Sequence, residues 1–278
     1  MLEKYRVIFT VNNGGIFVKF FNLLELILYN HLNSIFSLIT FGYLNLMLLA
    51  TRSLLFYLGH YSNVVVFSTI GLMLKPLPLE KRINFMRFGV LVSLFWLRLT
   101  CNIKHIVHFD NKIDESKASI VLSRHESTWE ALAFHSIFPT QINVVKKELS
   151  RIPFFGFILI VIESIMIDRN KPFEAIKNVK RAGRNALLNN FWVVIFPGGT
   201  RIKPSEKSEV NSGGAILAKQ ENVPVYLVAH NAGEFWPKGT FIKRPGVINV
   251  YVKKINDTQS KDIESINLET KKWLNRAF

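Results

Sequence analysis

Only one of the 278 residues is a cysteine, so no intrachain disulfide framework can hold this chain together. That suits a reducing compartment. Cys101, set between Leu99 and Ile103 in an apolar run, reads as a small buried hydrophobe. Acidic residues are scarce beside basic ones, 20 against 35, which leaves a formal charge of +15 and a pI near 9.9. Such a surplus raises nucleic acid as a partner, but zinc-finger spacing, an RNP-type aromatic motif and a long basic run are all missing. No nucleic acid is expected. The cations are spread along the chain, many beside apolar segments. A cleavable signal peptide is also missing, since Lys4 and Arg6 are not followed by a short apolar core and a small-residue cleavage site. So is a Walker phosphate loop. His105 and His108 stand three apart, yet no carboxylate or cysteine cluster completes a metal site, and Lys104 to Phe109 alternates like a strand. Neither a metal nor another cofactor is expected.

What is present is apolar surface. Hydrophobic residues make up 49% of the chain, and the mean hydropathy is +0.20. Charge is absent from Leu32 to Thr51 and from Ser53 to Leu74, each about the length that spans a bilayer core. Arg52 alone separates them. Ser53–Leu74 and Phe85–Leu99 read as helices that enter or lie along a membrane, joined by the basic turn Lys75-Pro-Leu-Pro-Leu-Glu-Lys-Arg82. The alternative is a pair of buried helices in a soluble protein. A basic chain suits an anionic leaflet, where each Lys or Arg near the surface adds about 1 kcal/mol. Composition changes near residue 110. The expected organisation is a poorly assigned extension over 1–52, membrane-associated helices over 53–109, an α/β domain over 110–255 and a helical tail over 256–278.

Beyond residue 110, short β-branched runs predict strands at Ala118–Leu122, Ile142–Val145, Ile165–Ile167, Trp192–Phe196, Val223–Val228 and Val247–Val252, buried on both faces. Between them the clearest helix is Pro172–Leu188. Its apolar stripe is Phe173, Ile176, Val179, Ala182, Ala186 and Leu187, and Pro172 suits its first turn. Alternating elements predict the α/β class, a mostly parallel sheet flanked by helices. Nearly every unusual polar cluster directly follows a predicted strand, and in open α/β sheets the carboxyl ends of the strands form the binding crevice. A shared sheet therefore gathers His125, Lys146, Arg169, Arg201 and His230 around one pocket.

His125 and Glu130 are five apart, which on one continuous helix places them roughly 140° apart. If the helix begins near Ser127, His125 lies on the preceding loop and can fold back to Glu130. A carboxylate on one imidazole nitrogen fixes the tautomer and makes the other more basic. That arrangement suits direct deprotonation of a substrate hydroxyl. Ser127-x-x-Glu130 reads equally well as a capping box, and His125 as an ordinary loop histidine. In Phe196-Pro-Gly-Gly-Thr-Arg201, glycines admit backbone N–H groups close to an anion and Arg201 offers a bidentate fork for phosphate. A tight turn with a solvated Arg explains the same residues. The apolar stretch Ile152–Ile162 reads as buried core, an acyl tunnel or a lipid-facing surface.

From roughly Arg52 to Val252 the chain resembles the bacterial 1-acylglycerol-3-phosphate (lysophosphatidate) acyltransferases. The matching blocks are His125-Glu-Ser-Thr-Trp-Glu130, Lys146-Lys-Glu-Leu-Ser-Arg-Ile-Pro-Phe-Phe-Gly156, Ile167-Asp-Arg169, Val193-Val-Ile-Phe-Pro-Gly-Gly-Thr-Arg201 and Val223-Pro-Val-Tyr-Leu-Val-Ala-His-Asn-Ala-Gly233. The resemblance implies acyl transfer from acyl-CoA or acyl-carrier protein to the sn-2 hydroxyl of lysophosphatidate, giving phosphatidate. It implies His125 as general base and Glu130 as the carboxylate orienting it. Arg201, with Gly199 and Thr200, would hold the acceptor phosphate, helped by Lys146; Arg169, from its strand-end position alone, is expected to add charge to the same pocket or to be an ordinary surface cation. The resemblance also implies membrane lipid as a partner and a bacterial inner-membrane location with the site on the cytoplasmic side. Two departures stand out. Gly198 takes the place of the family's glutamate in Phe-Pro-Glu-Gly-Thr-Arg, and Asn211-Ser212 replaces a basic or aromatic residue before Gly213-Gly214. These raise two alternatives, another lyso-lipid acceptor and a catalytically silent lipid-binding homologue. Arg124 stands where Asn or Lys is common. Residues 1–46 have no counterpart in the resemblance, and Met47 reads as the expected start of translation.

Overall fold

The computed structural model describes the backbone of residues 15–255 and 257–276 and the side chains from residue 26 onward. The chain divides at Leu48/Leu49 into two compact units. Within the first lies the opening part of a long helix, α1 (Gly15–Met73), which continues into the second. The second unit holds the rest of α1 and every later element.

Helix α2 (Leu79–Cys101) follows α1. Both are long and apolar enough to cross a membrane by length and composition. Arg52 does not interrupt α1; its Nε donates to Thr100 O at 2.6 Å, satisfying a carbonyl in the last turn of α2. The expected turn over 75–82 is shorter than the sequence implied. Leu79 to Arg82 are already helical, and Arg82 is buried, donating to Leu77 O and Val161 O and pairing with Glu163 at 2.6 Å.

The sheet has seven strands: β1 (Ile103–Phe109), β2 (Ile120–Ser123), β3 (Gln141–Lys146), β4 (Ile165–Ile167), β5 (Trp192–Ile195), β6 (Val225–His230) and β7 (Gly246–Lys254). Their spatial order is β1-β7-β6-β2-β5-β3-β4. Every pairing is parallel except β6 with β7. β2, β5 and β6 are buried throughout, as their unbroken apolar runs require of a sheet covered on both faces.

Connecting helices are α3 (Trp129–Ile137), α4 (Phe155–Val161), α5 (Pro172–Leu188), α6 (Gly213–Glu221), α7 (Ala232–Phe235) and α8 (Ile263–Leu274). One face of the sheet packs a core with α5, α6 and α8, including Val179, Leu187, Leu217 and Ile266. The other packs Phe56, Leu97, Trp129, Phe134 and Trp236 around Trp192 and Tyr226. Close packing sets α6 on the sheet: a Cβ on Gly214 would meet Leu122 Cδ2 at 2.4 Å. The bounds of α5 match the expectation, but its stripe needs correction. Val179, Gly183, Ala186 and Leu187 are buried, while Phe173 is 91% exposed. Phe173 sits in the first turn, ahead of the turns whose Val179, Ala186 and Leu187 join the core.

Candidate active site

Because β2, β3, β4 and β5 run parallel, the segments leaving them emerge at one rim. Leu122 registers with Ile195 and Ser123 with Val228, so the loop after β2 lies between those after β5 and β6. Lys146 registers with Ile167, which sets Lys146 and the following Asp168-Arg169 side by side.

Helix α3 begins at Trp129, so His125 is on the loop before it. His125 Nδ1 lies 2.7 Å from Glu130 Oε1. The same oxygen accepts the backbone N–H groups of Glu126 and Ser127, each at 2.8 Å. The carboxylate half of the capping box and the contact with the imidazole are therefore made by one atom of Glu130, while Ser127 Oγ accepts from Trp129 N and the helix is capped at Thr128 without a side-chain bond. A carboxylate accepts only, so the proton of neutral His125 sits on Nδ1 and the lone pair on Nε2. Nε2 has no partner among the described residues, and the ring stacks on Phe196 with centroids 4.2 Å apart. Glu130 is fully buried. Burial pushes its carboxyl up, but His230, His125 and the Ser127 amide together outweigh that and hold it below the ordinary carboxylate range.

The loop after β5 turns sharply. Gly199 N donates to Phe196 O at 2.9 Å across Pro197-Gly198, and Gly199 adopts φ +73°, a conformation that favours glycine. Arg201 Nη1 donates to Thr128 Oγ1 at 2.8 Å, and Ile202 N to His125 O at 2.9 Å, so this loop is stitched to the His125 loop. Thr200 is exposed at the end of the turn. Arg169 faces the turn: a Cβ on Gly199 would lie 3.8 Å from its Nε. Burial lowers the Arg169 pKa, and Glu148 opposes the shift. Lys146 pairs with Glu148 at 3.8 Å, partly exposed. The structure thus brings His125, Glu130, Gly199, Thr200, Arg201 and Arg169 together at the rim, with Lys146 on the strand beside Arg169.

His230 corrects the expectation that it lines the pocket. It is fully buried beneath the His125 loop, with Nε2 3.0 Å from Arg124 O and Nδ1 accepting from Ala232 N. Three contributors escaped sequence reasoning. Phe196 stacks on the imidazole. Asn211, noted only as a departure, clasps the turn by donating both its N and its Nδ2 to Pro197 O, at 3.1 and 2.7 Å. Asn275, at the end of α8, holds Ser208 through both amide groups of the pair. No local pattern signals the last, whose partner is 67 residues away.

Residues 104–261 match the family model described as Acyltransferase. The chain is 34% identical over 234 residues to a 1-acyl-sn-glycerol-3-phosphate acyltransferase of Pseudomonas aeruginosa, covering 82% of this chain and 91% of that protein. It is 32% identical over 143 residues to a protein of the same description from Limnanthes douglasii, covering 50% of this chain and 51% of that one. Its fold is similar to the crystal structure of the 1-acyl-sn-glycerophosphate (LPA) acyltransferase PlsC from Thermotoga maritima, with a TM-score of 0.61 and 18% identity, covering 82% of this chain and 97% of that one. The chain belongs to the 1-acylglycerol-3-phosphate acyltransferase family and is an O-acyltransferase.

Proposed function

We propose that this chain moves a fatty acyl group from acyl-CoA or acyl-carrier protein to the sn-2 hydroxyl of lysophosphatidate, making phosphatidate. His125 Nε2 takes the proton of the acceptor hydroxyl as its oxygen attacks the thioester carbonyl. The ester C–O bond forms, the C–S bond breaks, and the departing thiolate receives the proton from His125. Glu130 holds Nδ1–H and stabilises the imidazolium between these steps. Arg201, with Gly199 and Thr200, binds the acceptor phosphate through its guanidinium fork and the glycine turn, with Arg169 and Lys146 adding positive charge. The observation that carries this reading is the 2.7 Å contact from Glu130 to His125 Nδ1, which leaves Nε2 as the base.

Apolar surface supports membrane attachment. Leu54, Leu58, Phe88 and Phe95 on α1 and α2 are each about half exposed or more. We place the protein at the bacterial inner membrane with the site on the cytoplasmic side, where thioester donors are found. A second reading, transfer to another lyso-lipid, is favoured by Gly198 at a position where the resembling family carries glutamate.

An acceptor panel tests both. Purified protein receives labelled palmitoyl-CoA with lysophosphatidate, lysophosphatidylethanolamine or lysophosphatidylcholine. The expected result is the highest kcat/KM on lysophosphatidate, whose phosphate is a monoester. A phosphodiester acceptor used better would establish the second reading, and transfer to none would reject both.

A further inference from the structure

Arg124, immediately before His125, is 4% exposed, and its guanidinium reaches the end of α8 and the segment after Arg201. Its Nε pairs with the equally buried Glu126. Nη1 donates to Leu274 O at 3.0 Å and Asn275 Oδ1 at 3.3 Å. Nη2 faces three carbonyls of the segment after Arg201: Lys203 O at 3.4 Å, Pro204 O at 3.0 Å and Glu206 O at 2.8 Å. The remaining oxygen of Glu126 accepts from Gly233 N at 3.0 Å, at the start of α7. Every donor of one guanidinium is thus spent on three separate segments. A buried ion pair gains little net stability over apolar packing of the same volume. The worth of this one lies in what it orients.

What it orients is the phosphate loop. Residues 203–206 continue directly from Arg201, and Ser208 closes the segment against Asn275, which also accepts from Arg124. At the other end of the same loop, a Cβ on Gly198 would lie 2.9 Å from Ser208 Oγ and 3.2 Å from Glu209 O. A side chain at position 198 would thus press on Ser208 and Glu209; Asn211 clasps the turn itself, and Arg124 braces the segment that follows it.

We infer that Arg124 is a positioning residue for the acceptor side, with Glu126 and Asn275 as its auxiliaries: it fixes the Arg201 loop against the His125 loop, so that acceptor phosphate and acceptor hydroxyl are presented in register. This rests on the assignment of Arg201 to the acceptor phosphate. Lysine keeps the charge but has a single ammonium where arginine has a five-donor fork, and cannot reach all three segments.

The test is a kinetic cycle on the full chain with palmitoyl-CoA and lysophosphatidate. Losing a charged hydrogen bond's worth of alignment, Arg124→Lys raises the acceptor KM about tenfold, while kcat and the donor KM move less than about threefold. Because both residues act on one contact, Arg201→Ala and the double variant share one acceptor KM. Multiplied losses in the double variant, or donor and acceptor KM rising together, overturn the inference. If Arg124→Lys does not fold, Asn275→Ala, altered at a half-buried helix end, decides in the same terms. Hydrogen exchange separates this inference from the reaction itself. The amides of Ile202 and Ser208 exchange faster in Arg124→Lys than in wild type, whether or not the protein acylates lysophosphatidate. Unchanged exchange at both would overturn it.

Discussion

A single carboxylate oxygen does three things here. Glu130 Oε1 accepts from His125 Nδ1 and from the amides of Glu126 and Ser127, so capping the helix start and orienting the imidazole are one event. That is why the spacing alone could not choose between the two readings: both predict the same residue at the same position. Lys243 shows the opposite case, a residue with no local signature. It is 1% exposed, its Nζ lies 2.6 Å from Tyr57 Oη, and the ammonium rests over the rings of Tyr57 and Trp236. Tyr57 is 186 residues away in sequence, so nothing in the neighbourhood of Lys243 announces the contact. Burial lowers its pKa from 10.5 to about 8, against a small opposing contribution from Cys101. Between those values the unfolded chain binds the proton that the folded chain has released, so stability rises with pH through that window. Below about 8 both states are charged and the penalty is fully present. Thermal unfolding at stepped pH should show wild type gaining on Lys243→Met from about pH 8 upward, with a constant difference below it. A difference that stays flat or falls across the window would contradict the burial argument.

Among the elements, those built from unbroken β-branched runs were legible, and β4 and α5 carry the bounds that their patterns predict. The extent of the first two helices was not. Arg52 breaks an apolar run in sequence but not in space, because its guanidinium reaches Thr100 O at the end of α2. Arg82 reads as the end of a basic turn and is instead a buried strut to Val161 and Glu163. Such long side chains carry their charge away from the backbone position that a pattern reads. Gly156 is another element-scale feature hidden in a familiar block. A Cβ there would lie 2.1 Å from Ser150 O, a backbone atom that cannot swing aside. Gly156→Ala should therefore displace the start of α4 and cost about 1–3 kcal/mol as overpacking, seen as a lowered unfolding midpoint. An unchanged midpoint would mean that the close approach between α4 and the preceding turn is not maintained.

At the scale of the molecule, the parallel strands decide the chemistry's location. They deliver His125, Arg201 and Arg169 to one rim from segments far apart in sequence, which strand-end placement anticipated. The sequence could not say what lies behind that rim. His230 and Arg124, which look like site residues, turn inward and hold the loops in place. Long-range contacts give them that role, His230 with Arg124 O 106 residues away and Arg124 with Leu274 O at the end of α8, and only the folded chain brings these together. Charge and apolar surface act over the whole as well: a chain of formal charge +15 carrying exposed Leu, Phe and Val on α1 and α2 is suited to an anionic lipid surface. The proposed role of His125, primed by Glu130, is to deprotonate the acceptor hydroxyl. Its most direct measurement is phosphatidate formed per minute from labelled palmitoyl-CoA and lysophosphatidate by wild type and His125→Ala, both shown by thermal unfolding to be folded. The expected result is a fall in kcat of about 10²–10⁴-fold, the range that general-base catalysis contributes, with the acceptor KM little changed. Transfer by His125→Ala at the wild-type rate would contradict it.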